Sequence, residues 1–236
     1  MVRLGLSGCR LALDVGAGKG TAALLVLAGT HPAGVVVGID PSPQMLQIAQ
    51  AEGLRCVAVA RAPGLPHPDG VFDRVLANFV ISHFTSYQLA LSDMVRVLRP
   101  GGRLGATAWA AGQDDPRQLW QQTAESFADK DVLRIAMEQA LPWEAWFGEA
   151  AHVTEALRGA GLVRLDLHTR RYETVMSRAE FLAWRESSMQ GRFLRQELGP
   201  SGWERFQRAV AENFRERFGH TVCFSQEVHL AVAAKP

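Results

Sequence analysis

Between Arg10 and Trp109 short apolar runs alternate with stretches of helical spacing, and that rhythm constrains the fold more than any other property of the chain. The runs cover 11–15, 34–39, about 54–60, 72–79 and 104–109. A helix at about 21–27 follows the first. After the second, Ser42 reads as an N-cap and Pro43 as the first helical residue, where a missing N–H costs no hydrogen bond. Met45, Leu46, Ile48 and Ala49 then repeat at helical spacing, and Gly53 supplies the stop. A Pro- and Gly-rich loop fills 61–70, and a third helix runs through Leu89, Met94, Val95 and Leu98 to a Pro100-Gly101-Gly102 turn. Such alternation forces parallel strands joined by right-handed crossovers. Parallel sheets are buried on both faces, so their strands are continuous apolar runs.

After Ala110 the rhythm changes. Polar-aromatic helical stretches at about 113–148 and 178–218 flank a helix near 153–160 and a strand at 163–175, and a strand-like segment at 222–233 closes the chain. The expected architecture is α/β: a doubly wound, mostly parallel seven-stranded sheet with an antiparallel terminal strand and helical insertions. We read 1–236 as one domain with its core at about 10–110, and 163–175 and 222–233 as antiparallel partners on the sheet edge.

Composition removes several function classes. With 47% hydrophobic and 21% charged residues over 236 positions, the chain is an ordinary globular one, neither disordered nor coiled coil. A net charge of +1 gives no global field for nucleic acid or an anionic membrane. Cys9, Cys56 and Cys223 lie far apart and no metal-ligand spacing occurs, so we expect a reducing compartment and no metal. No apolar run reaches the length of a membrane span. Leu6-Ser7-Gly8-Cys9 imitates a lipoprotein box, but the apolar stretch between it and Arg3 is far shorter than the roughly 7–15 residues of a signal. The expected location is the cytoplasm.

Asp14-Val15-Gly16-Ala17-Gly18-Lys19-Gly20 sets glycine at alternate positions just after the first strand. Gly16, Gly18 and Gly20 lack Cβ atoms, so the backbone can turn tightly and touch a ligand. The alternative reading is a tight strand–helix turn and nothing more. A dinucleotide fingerprint would want a third glycine or alanine where Thr21 stands, which fits nicotinamide binding poorly. Asp40, at the end of the second strand, is a carboxylate able to accept from both hydroxyls of a ribose, or else the acidic residue of a turn before Pro41. Together the bend and the carboxylate point to a nucleoside-containing cofactor.

At this level the residues resemble a family. LDVGAGKG at 13–20, VVGIDPSPQML at 36–46, LPHPDGVFDRV at 65–75 and LRPGGRL at 98–104 are similar, in order and spacing, to the class I S-adenosylmethionine-dependent methyltransferases of the ubiquinone/menaquinone-biosynthesis-like subgroup. The similarity covers about 10–110. It implies that the cofactor is S-adenosyl-L-methionine, that Asp14 reaches toward its amino group, and that Gly16, Gly18 and Gly20 admit it. It further implies that Asp40 holds the ribose hydroxyls, that Met45 covers the adenine, and that backbone from Ala62 lies nearby. Two departures stand out. Relatives carry an aspartate for the adenine amino group where Ala60-Arg61-Ala62 stands, and arginine cannot accept a hydrogen bond. Relatives also carry a few tens of residues before the first strand, which here begins near residue 10, so the insertions are the expected lid over a small-molecule acceptor.

All six tryptophans, Trp109, Trp120, Trp143, Trp146, Trp184 and Trp203, fall after residue 108, where the acceptor is expected; packing helices together is the plainer role. Methyl transfer from a sulfonium is an in-line displacement that depends mainly on alignment. Asn78 is the expected orienting amide, bearing on substrate or cofactor. His83 is the candidate base for an oxygen acceptor, or a histidine that packs or caps at a helix start. Open alternatives are a protein of the same fold that binds S-adenosylmethionine without methylating and a nicotinamide-dependent oxidoreductase. Oligomeric state is not readable from the chain.

Overall fold

The computed structural model describes residues 4–112 and 114–236; Arg3 and Gln113, on which the lipoprotein reading and the start of the first insertion fall, lie outside them. In chain order the elements are β1 (Leu11–Val15), α1 (Thr21–Gly29), β2 (Val35–Asp40), α2 (Pro43–Ala51), β3 (Cys56–Val59), β4 (Phe72–Asn78), α3 (Tyr87–Val97) and β5 (Leu98–Trp109). They continue with α4 (Asp115–Glu125), α5 (Lys130–Ala140), α6 (Glu144–Phe147), α7 (Ala150–Gly159), β6 (Val163–Ser177), α8 (Arg178–Ser187), α9 (Met189–Arg217) and β7 (Thr221–Ala234). One sheet of seven strands runs in the order β3-β2-β1-β4-β5-β7-β6. β3, β2, β1, β4 and β5 are parallel, and β7 runs antiparallel beside β5 with Trp109 opposite Val228. The doubly wound, mostly parallel sheet is the one expected. β6 takes the outer edge and β7 lies between it and β5.

The strand order reverses between β1 and β4, and at such a switch point the strand ends leave a crevice for ligand. Both faces of the sheet are buried. Leu13, Val15, Val75 and Ala77 enter one core with Met94 and Leu157, whereas Ala12, Val36 and Leu76 enter another with Ala23, Val26 and Ala49. By the two-residue period of a strand, Asp14 points to the second of these, toward α1.

One detail departs from the expectation. The Pro100-Gly101-Gly102 turn does not precede β5 but lies inside it: Leu98 already pairs with Phe72, and the next pair is Arg103 with Arg74. The extra residues bulge out around Gly101 at φ 72°, and the bulge is bonded back through Gly101 N–H to the Lys235 carbonyl at 3.0 Å. The chain forms two compact units. One contains residues up to Ala110, Trp143–Arg170 and Val228–Pro236; the other contains Ala111–Pro142 and Arg171–Glu227. Trp143 and Trp146 therefore sit in the sheet unit, stacked edge to face or face to face around Tyr87. The helical unit has its own core of Trp120, Phe181, Leu194, Phe206, Val210 and Phe214. Among the described residues no helix is long and apolar enough to cross a membrane.

Candidate active site

The glycine bend leaves β1 with three left-handed residues, Gly16 at φ 72°, Gly18 at 53° and Gly20 at 83°. Such angles are strained for side-chain-bearing residues. Space adds a second requirement at Gly16, where a Cβ would run into the side chain of Val80. At Gly18 a Cβ would meet nothing within 4 Å, so the open side of the bend is bare backbone. The bend is tied to β2: Ala17 N–H donates to the Ile39 carbonyl at 2.8 Å, and Gly18 N–H donates to Asp40 Oδ2 at 2.9 Å.

Asp40 ends β2 beside this bend. Its second oxygen, Oδ1, accepts from Ser42 N–H at 2.8 Å, and Ser42 caps α2 by accepting from Met45 N–H. An ionised carboxylate has about four lone-pair positions, so two remain for hydroxyl donors. Met45, 40% exposed in the first turn of α2, leaves an apolar side chain beside the same strand end.

Asp14 is placed differently from a surface ligand. It is 1% exposed, and neither carboxylate oxygen has a hydrogen-bond partner. Burial raises its acid to about 7, the Asp40 charge adds to the rise, and the Ala23 amide works against it. A buried carboxylate without partners is costly, and a cation brought to it removes the cost.

Beyond β3 the Pro- and Gly-rich loop is clamped by α3. Asp93 Oδ2 accepts from Gly64 N–H at 2.6 Å and from Leu65 N–H at 2.7 Å, while Arg96 donates to the carbonyls of Leu65 and His67. Partial burial would raise the Asp93 acid, but those amides and Arg96 hold it below the usual carboxylate range. Just before the clamped residues Ala62 is buried and Arg61 is exposed. Sequence reasoning missed this clamp, whose partners stand 28 and 29 residues apart.

At the ends of β4 and β5, Thr107 Oγ1 donates to Asn78 Oδ1 at 2.9 Å and accepts from Phe79 N–H at 2.9 Å. Asn78 Oδ1 is thus engaged, and its amide N–H2 is the group that can meet a ligand. Phe79 adopts φ 53°, uncommon for a bulky residue and a reason to look for function, and its ring stacks on Trp109 at 4.1 Å. Neither Thr107 nor this pair was singled out in the sequence. His83 closes a single 3-10 turn, Ile81–His83, with its side chain exposed and with no hydrogen-bond partner on its ring among the described residues. No cluster of three or more His, Cys, Asp or Glu suited to a metal occurs among the described residues.

These residues fit a ligand that carries both a ribose and a cationic amino group. Comparison with known proteins gives matches of the same kind. The family described as "Methyltransferase domain" matches residues 13–106. Demethylmenaquinone methyltransferase of Thermus thermophilus is 44% identical over 97 residues, which are 39% of this chain and 44% of that protein. Nocamycin O-methyltransferase of Saccharothrix syringae is 33% identical over 172 residues, 66% of this chain and 60% of that one. The chain thus spans about half the length of the curated relatives it matches. Among solved structures, phosphoethanolamine N-methyltransferase 2 of Haemonchus contortus, in complex with S-adenosyl-L-methionine, has the same fold at a TM-score of 0.59 and 17% identity, over 99% of this chain and 50% of that one.

Proposed function

We propose, from the match of residues 13–106 to the family described as "Methyltransferase domain" and from the likeness to a demethylmenaquinone methyltransferase, that this chain is a class I S-adenosylmethionine-dependent methyltransferase of the menaquinone/ubiquinone-biosynthesis-like type and transfers a methyl group from S-adenosyl-L-methionine to a small, partly apolar acceptor. One observation carries the reading: the 2.9 Å bond from Gly18 N–H to Asp40 Oδ2 joins the glycine bend and the ribose-type carboxylate in a single site.

The cofactor supplies a methyl group on a positively charged sulfur, already activated for in-line displacement. What the chain adds is binding, orientation and exclusion of water. Asp40, held by two backbone amides, keeps acceptor capacity for ribose hydroxyls, each bond to the charged group contributing about 1.5–3 kcal/mol. Gly18 lets the ligand lie on bare backbone. Asp14 supplies the negative charge for an ammonium group. Met45 and the backbone at Ala62 flank the adenine, with Arg61 turned to solvent.

On the acceptor side, Asn78 presents its amide N–H2 because Thr107 holds the amide oxygen. The stacked Phe79 and Trp109 supply a flat apolar wall at the same strand ends, which supports an acceptor with an apolar body. Holding the reactants aligned can account for about 7–11 kcal/mol of barrier reduction. A base is needed only for acceptors that lose a proton. His83 remains the candidate, with nothing in its surroundings to orient its ring.

The test is calorimetric titration with S-adenosylmethionine, S-adenosylhomocysteine and NAD, followed by assay of S-adenosylhomocysteine release against a panel of acceptors. Names of relatives place a demethylated quinone and an oxygen acceptor at the head of that panel. Release of S-adenosylhomocysteine with a methylated product supports transfer. Binding without consumption of the methyl group supports a non-methylating protein of this fold, and binding of NAD alone overturns the reading.

A further inference from the structure

The helical unit holds a second charge withdrawn from water, partly buried and of the opposite sign. Arg185, in the last turn of α8, lies over the ring of Trp120 at 5.2 Å and that of Trp184 at 5.8 Å. A guanidinium has five N–H donors. Only Nη2 is used, donating to Gln190 Oε1 at 2.9 Å, an oxygen that also accepts from Trp120 Nε1 at 3.0 Å. Nε is buried with no partner, and Nη1 makes no hydrogen bond among the described residues.

Among the described residues no carboxylate forms an ion pair with it, although the Asp114 charge favours it. Asp114, whose charge it feels, is committed elsewhere: Oδ1 takes Arg117 N–H and Nε, and Oδ2 takes Ser225 N–H at 2.8 Å. Two arginines therefore share one carboxylate. Burial and the Arg117 charge pull the Arg185 guanidinium down to about 10, with Asp114 working against them. It keeps its proton at neutral pH and stays a cation in want of an anion. Trp184 meanwhile is 37% exposed although its ring stacks on Phe224 at 5.2 Å, so a flat apolar surface borders the guanidinium.

We propose that Arg185 and Trp184 form a receptor for a small molecule that joins a carboxylate to a flat apolar body. The unused Nη1 hydrogens of the guanidinium fork match a carboxylate, a pairing stronger than a neutral hydrogen bond. Trp184 offers its ring to the apolar part. The cation–π contacts hold the guanidinium in place while no anion is present. The site goes beyond the methyl-transfer reading and does not depend on it.

The test uses the full chain with benzoate and 2-naphthoate as probes and benzamide and 2-naphthamide as their neutral counterparts. Tryptophan fluorescence reports binding, and the Arg185 Nε–H signal in a nitrogen-15 spectrum, assigned with Arg185→Lys, reports contact. The acids are expected to bind at least tenfold tighter than the amides and to move that signal. Arg185→Gln should erase the preference while S-adenosylhomocysteine binds with unchanged affinity. If Arg185→Gln does not fold, the acid-against-amide comparison and the Nε–H shift on the unmodified chain decide alone. Equal affinity for acid and amide, or an Nε–H signal that no acid moves, overturns the proposal and leaves Arg185 as a packing element between two indoles. With S-adenosylmethionine added, turnover of a bound acid identifies the ligand class as the acceptor, and binding without turnover identifies it as an effector; either outcome sustains the receptor.

Discussion

Asp14 in the sheet unit is a buried charge and Arg185 in the helical unit a partly buried one, neither in an ion pair among the described residues, yet the two solve the problem in opposite ways. Asp14 has no hydrogen bond and an acid raised to about 7, so near neutral pH it can shed its charge by taking a proton. Arg185 cannot do so; it keeps its charge and spreads it over two indole faces and one amide oxygen. A ligand at the first site must therefore win its contact against a proton, and one at the second against packing. The first should be sensitive to pH and the second to the charge of the ligand.

The largest effect that separates the two belongs to Gly16. Gly16→Val combines a left-handed angle with a collision against Val80, and we expect S-adenosylhomocysteine affinity to fall at least a hundredfold in calorimetry. Benzoate binding at Arg185 should stay within twofold. Parallel loss at both would mean that the variant disturbs the whole chain. Asp40→Ala comes next, with at least a tenfold loss, because it removes the ribose acceptor and also frees Gly18 N–H; an unchanged dissociation constant would break the cofactor assignment.

Asp14→Asn tests the proton side of the comparison. A raised carboxyl stabilises the fold fully below its unfolded value near 3.8, and that contribution is lost as pH rises through about 7. The ligand-free variant should therefore gain stability over the unmodified chain as pH climbs from 4 to 8, by up to roughly 4 kcal/mol in denaturant titrations. Arg185→Leu, which loses stacking along with charge, should move stability by only about 1 kcal/mol at either pH. Equal pH-dependence of the two would erase the contrast. The smallest effect is expected at His83: with its ring unsupported, His83→Ala should lower turnover less than threefold, and a loss of about a hundredfold would install it as the base.

What the sequence discloses follows the reach of each interaction. The bend at Gly16–Gly20, Asp40 and the Ser42-Pro43 cap are legible because each acts within one strand–turn–helix segment. The apolar runs announce the parallel sheet for the same reason. Thr107 holding Asn78 spans 29 residues, Asp93 clamping Leu65 spans 28, and Trp120 meeting Gln190 spans 70, and no local pattern marks any of them. The Gly101 bulge escapes notice because a Pro-Gly-Gly turn before a strand and a bulge within it have the same composition; only the pairing of Leu98 with Phe72 separates them. Asp14 is legible as a residue but not in its setting, since the sequence places it beside the bend and cannot say that it is buried without a hydrogen-bond partner.

The central claim is that an ionised Asp14 meets the ammonium group of a nucleoside ligand. The direct measurement is the dissociation constant of S-adenosylhomocysteine from pH 5.5 to 8.5, on the unmodified chain and on Asp14→Asn. Affinity of the unmodified chain should be constant above about pH 7 and weaken below it toward tenfold per pH unit, while the variant binds weakly with no such slope. The same pH profile in both proteins, or affinity that does not change with pH in the unmodified chain, would contradict the account.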